Sequence, residues 1–170
     1  MNSVFAVTLA ALVGMGCASS APAPAPTTHA AAAATATAAA PAEPSVLSTE
    51  ILAREPVANT ATVKHILISW ADLADAFGGQ VDPRAAKRTK ADAEATVRSI
   101  LKQIQAGGDF ETLMKSMSED VGSARSNRAF TVTPDAQLVI EFRQLSLRLH
   151  PGEVGVCKSD FGFHIIKRLD

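Results

Sequence analysis

Hydrophobic and polar positions along this chain fall into two regimes. Residues 62–69, Thr-Val-Lys-His-Ile-Leu-Ile-Ser, form a β-branched apolar run with few polar breaks, the pattern of a strand buried on both faces. After a loop over residues 70–88 that contains Gly78-Gly79 and Pro83, the period turns helical. Thr89 with Asp92 three residues on reads as a hydroxyl cap, and Val97, Ile100, Leu101 and Ile104 recur on one face until Gly107-Gly108 stops them. Asp109 caps a second helix whose face carries Phe110, Leu113, Met114 and Met117, methionines that read as core. A polar stretch, 118–128, leads to a short strand over residues 129–133. Beyond Pro134, the positions of Leu138, Phe142, Leu145 and Leu149 predict a third helix, ended by His150-Pro151-Gly152. Residues 154–158 and 163–169 read as two closing strands joined at Ser159-Asp160. The order β-α-α-β-α-β-β predicts an α+β fold, with a small mixed sheet of about four strands surrounded by about three to four helices.

The other regime precedes the first strand. Residues 4–16 are apolar but fall well short of the ~20 residues that a membrane-spanning helix needs, and they read as a signal peptide. Leu12-Val13-Gly14-Met15-Gly16-Cys17 resembles a bacterial lipobox, which would make Cys17 the lipidated first residue of the mature chain. Gly14 and the absence of a leading Lys or Arg depart from that pattern, and the other reading is a secretory signal cut among the Ala and Ser that follow. From residue 18 the chain is almost wholly Ala, Pro, Thr and Ser, a spacer with little to bury. Residues 48–54 allow a helical turn but are grouped with that linker. The expected organisation is a signal segment over 1–17, a linker over 18–60 and one folded domain over 61–170. Such a protein is exported to the cell envelope and held at a membrane through Cys17, without crossing it. Acylation of Cys17 leaves Cys157 without a partner, so no internal disulfide is expected.

A formal net charge of −1, from 16 basic and 17 acidic residues interspersed, argues against a nucleic-acid partner. The candidate chemistry lies instead in two histidines, His65 and His164, each inside an otherwise apolar strand. Buried imidazole nitrogens need partners, so the two strands point to one shared polar site. A core pair satisfied by mutual contact is the alternative. No metal-ligand spacing is present, and His29 in the spacer and His150 in a turn add no convincing ligand.

Several segments, in order, resemble the parvulin family of peptidyl-prolyl cis-trans isomerases. They are Lys64-His65-Ile66-Leu67-Ile68, Gly107-Gly108-Asp109-Phe110, Ser118-Glu119-Asp120-Val121-Gly122-Ser123-Ala124, Glu141-Phe142, His150-Pro151-Gly152-Glu153-Val154 and Phe161-Gly162-Phe163-His164-Ile165-Ile166. The resemblance spans the whole folded part. It implies a catalytic network of His65, Asp120 and His164 beneath a proline pocket of Phe130, Leu138 and Phe142. It implies X-Pro segments of unfolded or extended polypeptides as partners, with no cofactor and no metal; a monomer is the separate expectation. A non-catalytic peptide-binding chaperone or assembly lipoprotein is the rival expectation, and a tethered structural lipoprotein a third. In one branch of the family basic residues after the first strand grip a phosphate, which makes Arg84, Lys87 and Arg88 candidates; a solvated basic run is the simpler reading. Trp70 is expected to anchor that loop or border substrate, and Cys157 to be a small buried hydrophobe. Where many parvulins carry a glycine-rich stretch, this chain reads Asn127-Arg128-Ala129-Phe130-Thr131, which predicts a reshaped pocket rim.

Overall fold

The computed structural model describes residues 44–170. The apolar leader, Cys17 and residues 18–43 of the spacer lie outside them. In chain order the elements are α1 (Thr49–Leu52), β1 (Ala61–Ile68), α2 (Lys90–Gln105), α3 (Phe110–Met117), α4 (Val121–Ser126), β2 (Phe130–Val132), α5 (Ile140–Ser146), β3 (Val154–Ser159) and β4 (Gly162–Arg168). Two 3₁₀ helices, Ala71–Phe77 and Ala85–Lys87, shape the loop after β1. Thr89 and Asp92 form a reciprocal capping box on α2, and Asp109 caps α3 by accepting from the Thr112 amide at 2.8 Å.

The four strands lie in the order β2-β1-β4-β3. Alternation along them sorts side chains onto two faces. Ile66, Ile68, Val156, Phe163 and Ile165 pack under α2 and α3 with Ala93, Val97, Ile100, Phe110 and Met114. Ala61, Val63, Cys157 and Ile166 pack under α5 with Phe142, Leu145 and Leu149. His65 and His164 share strand parity with this second set, so both histidines face α5.

The structure differs from the sequence expectation in four respects. Every strand pair is antiparallel, so the sheet is not mixed. Only the tight β3–β4 turn dictates direction; the long connection from β1 to β2 permits either sense, and packing decides. The third helix starts at Ile140, because Thr133 to Leu138 are held in turns by Ala136 N–H to Thr133 O at 3.1 Å and Leu138 N–H to Ala136 O at 2.8 Å. The spacing of Leu138 and Phe142 thus imitates a helical face that begins later. Helix α4 arises inside a stretch read as polar loop, since it is short and lacks an apolar stripe.

The fourth difference is where folding begins. Residues 44–60 are not all linker: Val46 and Ile51 are buried, one in each core. Ser48 binds the outer edge of β3 through its amide to Val156 O and its hydroxyl from Val156 N–H, both at 2.9 Å. Arg54 forms an ion pair with Glu153 at 2.9 Å, and Val57 N–H reaches Leu147 O at 2.9 Å. This segment covers a sheet edge that would otherwise expose unpaired backbone groups.

Gly162 opens β4 with φ of 133°, and a Cβ there would stand 2.5 Å from the carbonyl oxygen of Ile68. Gly162→Ala is therefore expected to destabilise the domain by on the order of 3 kcal/mol, through strain plus backbone overlap. Gly152→Ala, where φ is 80° but no atom lies within 4 Å, should cost less. Denaturant midpoints for the two variants would check this; equal midpoints would remove the claim of close approach.

Candidate active site

Strand register decides how the two histidines meet. Leu67 pairs with His164 and His65 pairs with Ile166, which makes His65 and His164 diagonal neighbours on one face. Their Nδ1 atoms are 3.3 Å apart. His65 Nε2 lies 3.0 Å from Asp120 Oδ2, and His164 Nε2 lies 2.8 Å from Ser159 Oγ. Ser123 donates to Asp120 through both its hydroxyl, at 2.5 Å, and its amide, at 3.1 Å. Asp120 is therefore at once the N-cap of α4 and the anchor of His65.

These partners assign the protons. The hydrogen bond from His65, aided by both Ser123 donors, holds the Asp120 carboxyl well below the usual carboxylate range. An ionised Asp120 only accepts, so His65 donates from Nε2 and, when neutral, accepts at Nδ1. His164 then donates from Nδ1 and accepts from the Ser159 hydroxyl. Burial, with a smaller contribution from His65, pushes His164 down from 6.5 to about 3, which keeps it neutral at physiological pH. The hydrogen bonds consequently run in one direction from Ser159 to Asp120.

Above this chain opens a cleft of about 430 Å³. The His65 ring meets Phe130 and Phe142 edge-on, with centroids 5.3 and 5.2 Å away, and the two phenyl rings are 5.8 Å apart. Half-buried Leu138 joins them in the cleft wall. A polar floor with apolar walls is the usual design of a small-ligand site. Asn127 ends α4 with φ of 53°, the only positive φ of a non-glycine among the described residues, in the segment where glycines were expected. Its side chain donates to Glu111 at 2.8 Å and accepts from Lys64 at 3.1 Å, which ties the end of α4 to α3 and β1.

The profile of the PPIC-type PPIase domain matches residues 48–170. The chain belongs to the PPIC-type PPIase domain family. Among its relatives, the chaperone SurA of Pseudomonas aeruginosa is 32% identical over 114 residues, covering 66% of this chain and 24% of that protein. The foldase protein PrsA of Geobacillus kaustophilus is 27% identical over 122 residues, covering 71% of this chain and 43% of that protein. The chain thus spans less than half the length of these curated relatives. In fold it is similar to the peptidyl-prolyl isomerase ESS1 from Candida albicans, with a TM-score of 0.56 at 19% identity over 66% of this chain and 63% of that one. The α+β parvulin fold is shared by both.

Within this PPIC-type domain the expected network and pocket residues come together, whereas the basic residues that were candidates for a phosphate contact do not join them. Arg84 pairs with Asp82 at 3.0 Å and donates to the carbonyls of Ser116, Met117 and Ser118, capping the C-terminus of α3. Arg88 bridges Ser69 O at 3.0 Å and Glu119 at 2.7 Å. Both guanidinium groups are committed to holding the loop, and exposed Lys87 does not line the cleft. Trp70 is buried against Phe163 on the opposite face of the sheet, so it anchors the loop. Burial raises the Cys157 thiol to about 12, an inert core residue. Among the described residues no group of three or more His, Cys, Asp or Glu is arranged to hold a metal ion. Sequence reading missed Ser123 and Ser159, which terminate the network, and Phe77, which lines the cleft from the loop. Leu73 and Phe77, four residues apart, were the available signal for a helical turn there.

Unfolded, His164 takes up a proton between pH 6.5 and 3 that the folded site refuses. Its contribution is complete above pH 6.5 and declines as pH falls, by up to about 1.4 kcal/mol per pH unit. Asp120 adds in the same direction below its ordinary value of 3.8. Denaturant unfolding from pH 7.5 to 4.5 should show this slope, and His164→Asn should flatten it; a slope unaltered in the variant would assign the acid sensitivity elsewhere.

Proposed function

We propose that this domain is a peptidyl-prolyl cis-trans isomerase acting on X-Pro bonds of unfolded or extended exported polypeptides. Proline sits between Phe130, Leu138 and Phe142, with His65, Asp120 and His164 beneath it. The observation that carries this reading is the seating of one imidazole edge-on against both phenyl walls, at 5.3 and 5.2 Å, while its own nitrogens are fully engaged. The names of the relatives, a foldase and a chaperone, support unfolded polypeptides as clients.

The chemistry needs no nucleophile. An amide resists rotation by ~18–20 kcal/mol because resonance gives its C–N bond double-bond character. Twisting removes that resonance and with it part of the charge separation between oxygen and nitrogen. Apolar walls therefore disfavour the planar amide more than the twisted one, and only such differential interaction accelerates a reaction. With Asp120 ionised and His164 neutral, the network fixes the floor's shape and polarity instead of exchanging protons with substrate.

NMR exchange measurements on X-Pro peptides test this directly. The domain should raise the cis-trans exchange rate, and Leu138→Glu should lower that gain by about tenfold or more while the amide spectrum remains folded. Binding without faster exchange would overturn the isomerase reading and leave the peptide-binding chaperone.

The same reading places the domain at a membrane surface in the cell envelope through acylated Cys17, with the Ala/Pro-rich spacer as tether. In fractionated cells, Cys17→Ala should move the full chain from the membrane to the soluble pool. Unchanged membrane association would reject the anchor.

A further inference from the structure

A cation stands beside the proline pocket with no part in the network beneath it. The Arg128 guanidinium lies 4.6 Å from the centroid of the Phe130 ring, one wall of that pocket, although Arg128 does not line the cleft itself. The two residues are two positions apart where the chain enters β2, the spacing that puts side chains of an extended segment on one face. Their backbone is held at both ends. Arg128 N–H donates to Ser123 O at 3.0 Å, and Phe130 pairs with Val63 of β1. Position 128 also falls in the stretch where many parvulins carry glycines, which would offer no side chain there.

Charge separates Arg128 from the other arginines around the cleft. Arg84 is paired with Asp82, Arg88 with Glu119, and Arg143 donates to the carbonyls of Pro134 and Ala136. Arg128 is exposed, and its guanidinium makes no ion pair or hydrogen bond among the described residues. Carboxylates on the neighbouring elements are already engaged: Glu111 by Lys64 and Asn127, Asp120 by His65 and Ser123, and Asp135 by Thr133. Contact with a ring restrains a guanidinium yet leaves it N–H donors for an anion. A donor already restrained loses less freedom on binding. One residue of extended chain spans about 3.3–3.6 Å, so a carboxylate next to a proline seated on Phe130 is within reach of a group that touches the same ring.

We propose that Arg128 selects substrates by binding the carboxylate of an Asp or Glu that flanks the proline. This deepens the isomerase reading and rests on it.

Two peptide series test the selection, acetyl-Ala-Xaa-Pro-Ala-amide and acetyl-Ala-Pro-Xaa-Ala-amide with Glu, Gln or Lys at Xaa, whose blocked ends leave the side chain as the only variable charge. Affinity and exchange rate are both read by NMR. In at least one series Glu should exceed Gln in affinity by about threefold at low ionic strength, with Lys below both. That ratio should shrink toward one in about 1 M salt. Arg128→Gln should bring it to one, and Arg128→Glu should invert the order so that Lys leads. Equal affinity for Glu and Gln in both series would overturn the proposal, as would a Glu preference that survives Arg128→Gln. Should a variant lose its folded spectrum, the Nε–H resonance of Arg128 in the unmodified domain decides: it should move with Glu peptides and not with Gln, and no movement rejects the contact. If peptides bind but none exchanges faster, the isomerase reading fails alone and the affinity ratios still decide the role of Arg128. Absence of binding by every peptide would overturn both.

Discussion

Pairing of the first strand with the last is the constraint on which the rest of the site depends. His65 and His164 stand 99 positions apart in the chain and meet only because β1 and β4 are neighbours at the centre of the sheet. Closing so long a loop is entropically unfavourable, and it becomes worthwhile only when both faces of the new strand pair are buried. Here they are, under α2 and α3 on one side and α5 on the other. Gly162 permits the approach by removing the Cβ that would strike Ile68 O.

The same pairing creates a liability in the form of two imidazoles inside an apolar sheet. The fold resolves it by routing every ring nitrogen to a partner, ending on Asp120 at one side and Ser159 at the other. Asp120 carries a negative charge without isolation because it also caps α4, where two donors of Ser123 reach it. Helix α4, too short to stand on propensity alone, is in turn fixed by the acid that serves the site. Network and local structure are therefore mutually supporting. Removal of either histidine would leave the other with an unmet nitrogen in a buried place.

Much of the site was legible because it rests on patterns one strand or one turn long. Continuous apolar runs located β1 and β4, a lone histidine in each marked the polar floor, and Asp109 and Thr89 announced their helices through cap chemistry. Other features were illegible for equally local reasons. Leu138 and Phe142 sit at helical spacing although Leu138 belongs to a turn, since periodicity does not record where a helix starts. Arg84 and Arg88 looked available as a basic run, yet besides nearby Asp82 and Ser69 O their partners are the carbonyls of Ser116, Met117 and Ser118 and the Glu119 carboxylate, all more than 30 positions away.

By itself, then, the sequence determined the four strands, the two helices α2 and α3 with their caps, and which residues are chemically able to form a polar floor and an apolar pocket. Side-chain period and capping are short-range properties, so they are written locally. Tertiary structure decided the antiparallel sense of every strand pair and the burial of residues 44–60 against the sheet edge. It also decided the direction of the hydrogen bonds from Ser159 to Asp120 and the union of Phe77 with Phe130 and Phe142 in one cleft. Those outcomes depend on distances between groups far apart in the chain, which no local pattern encodes.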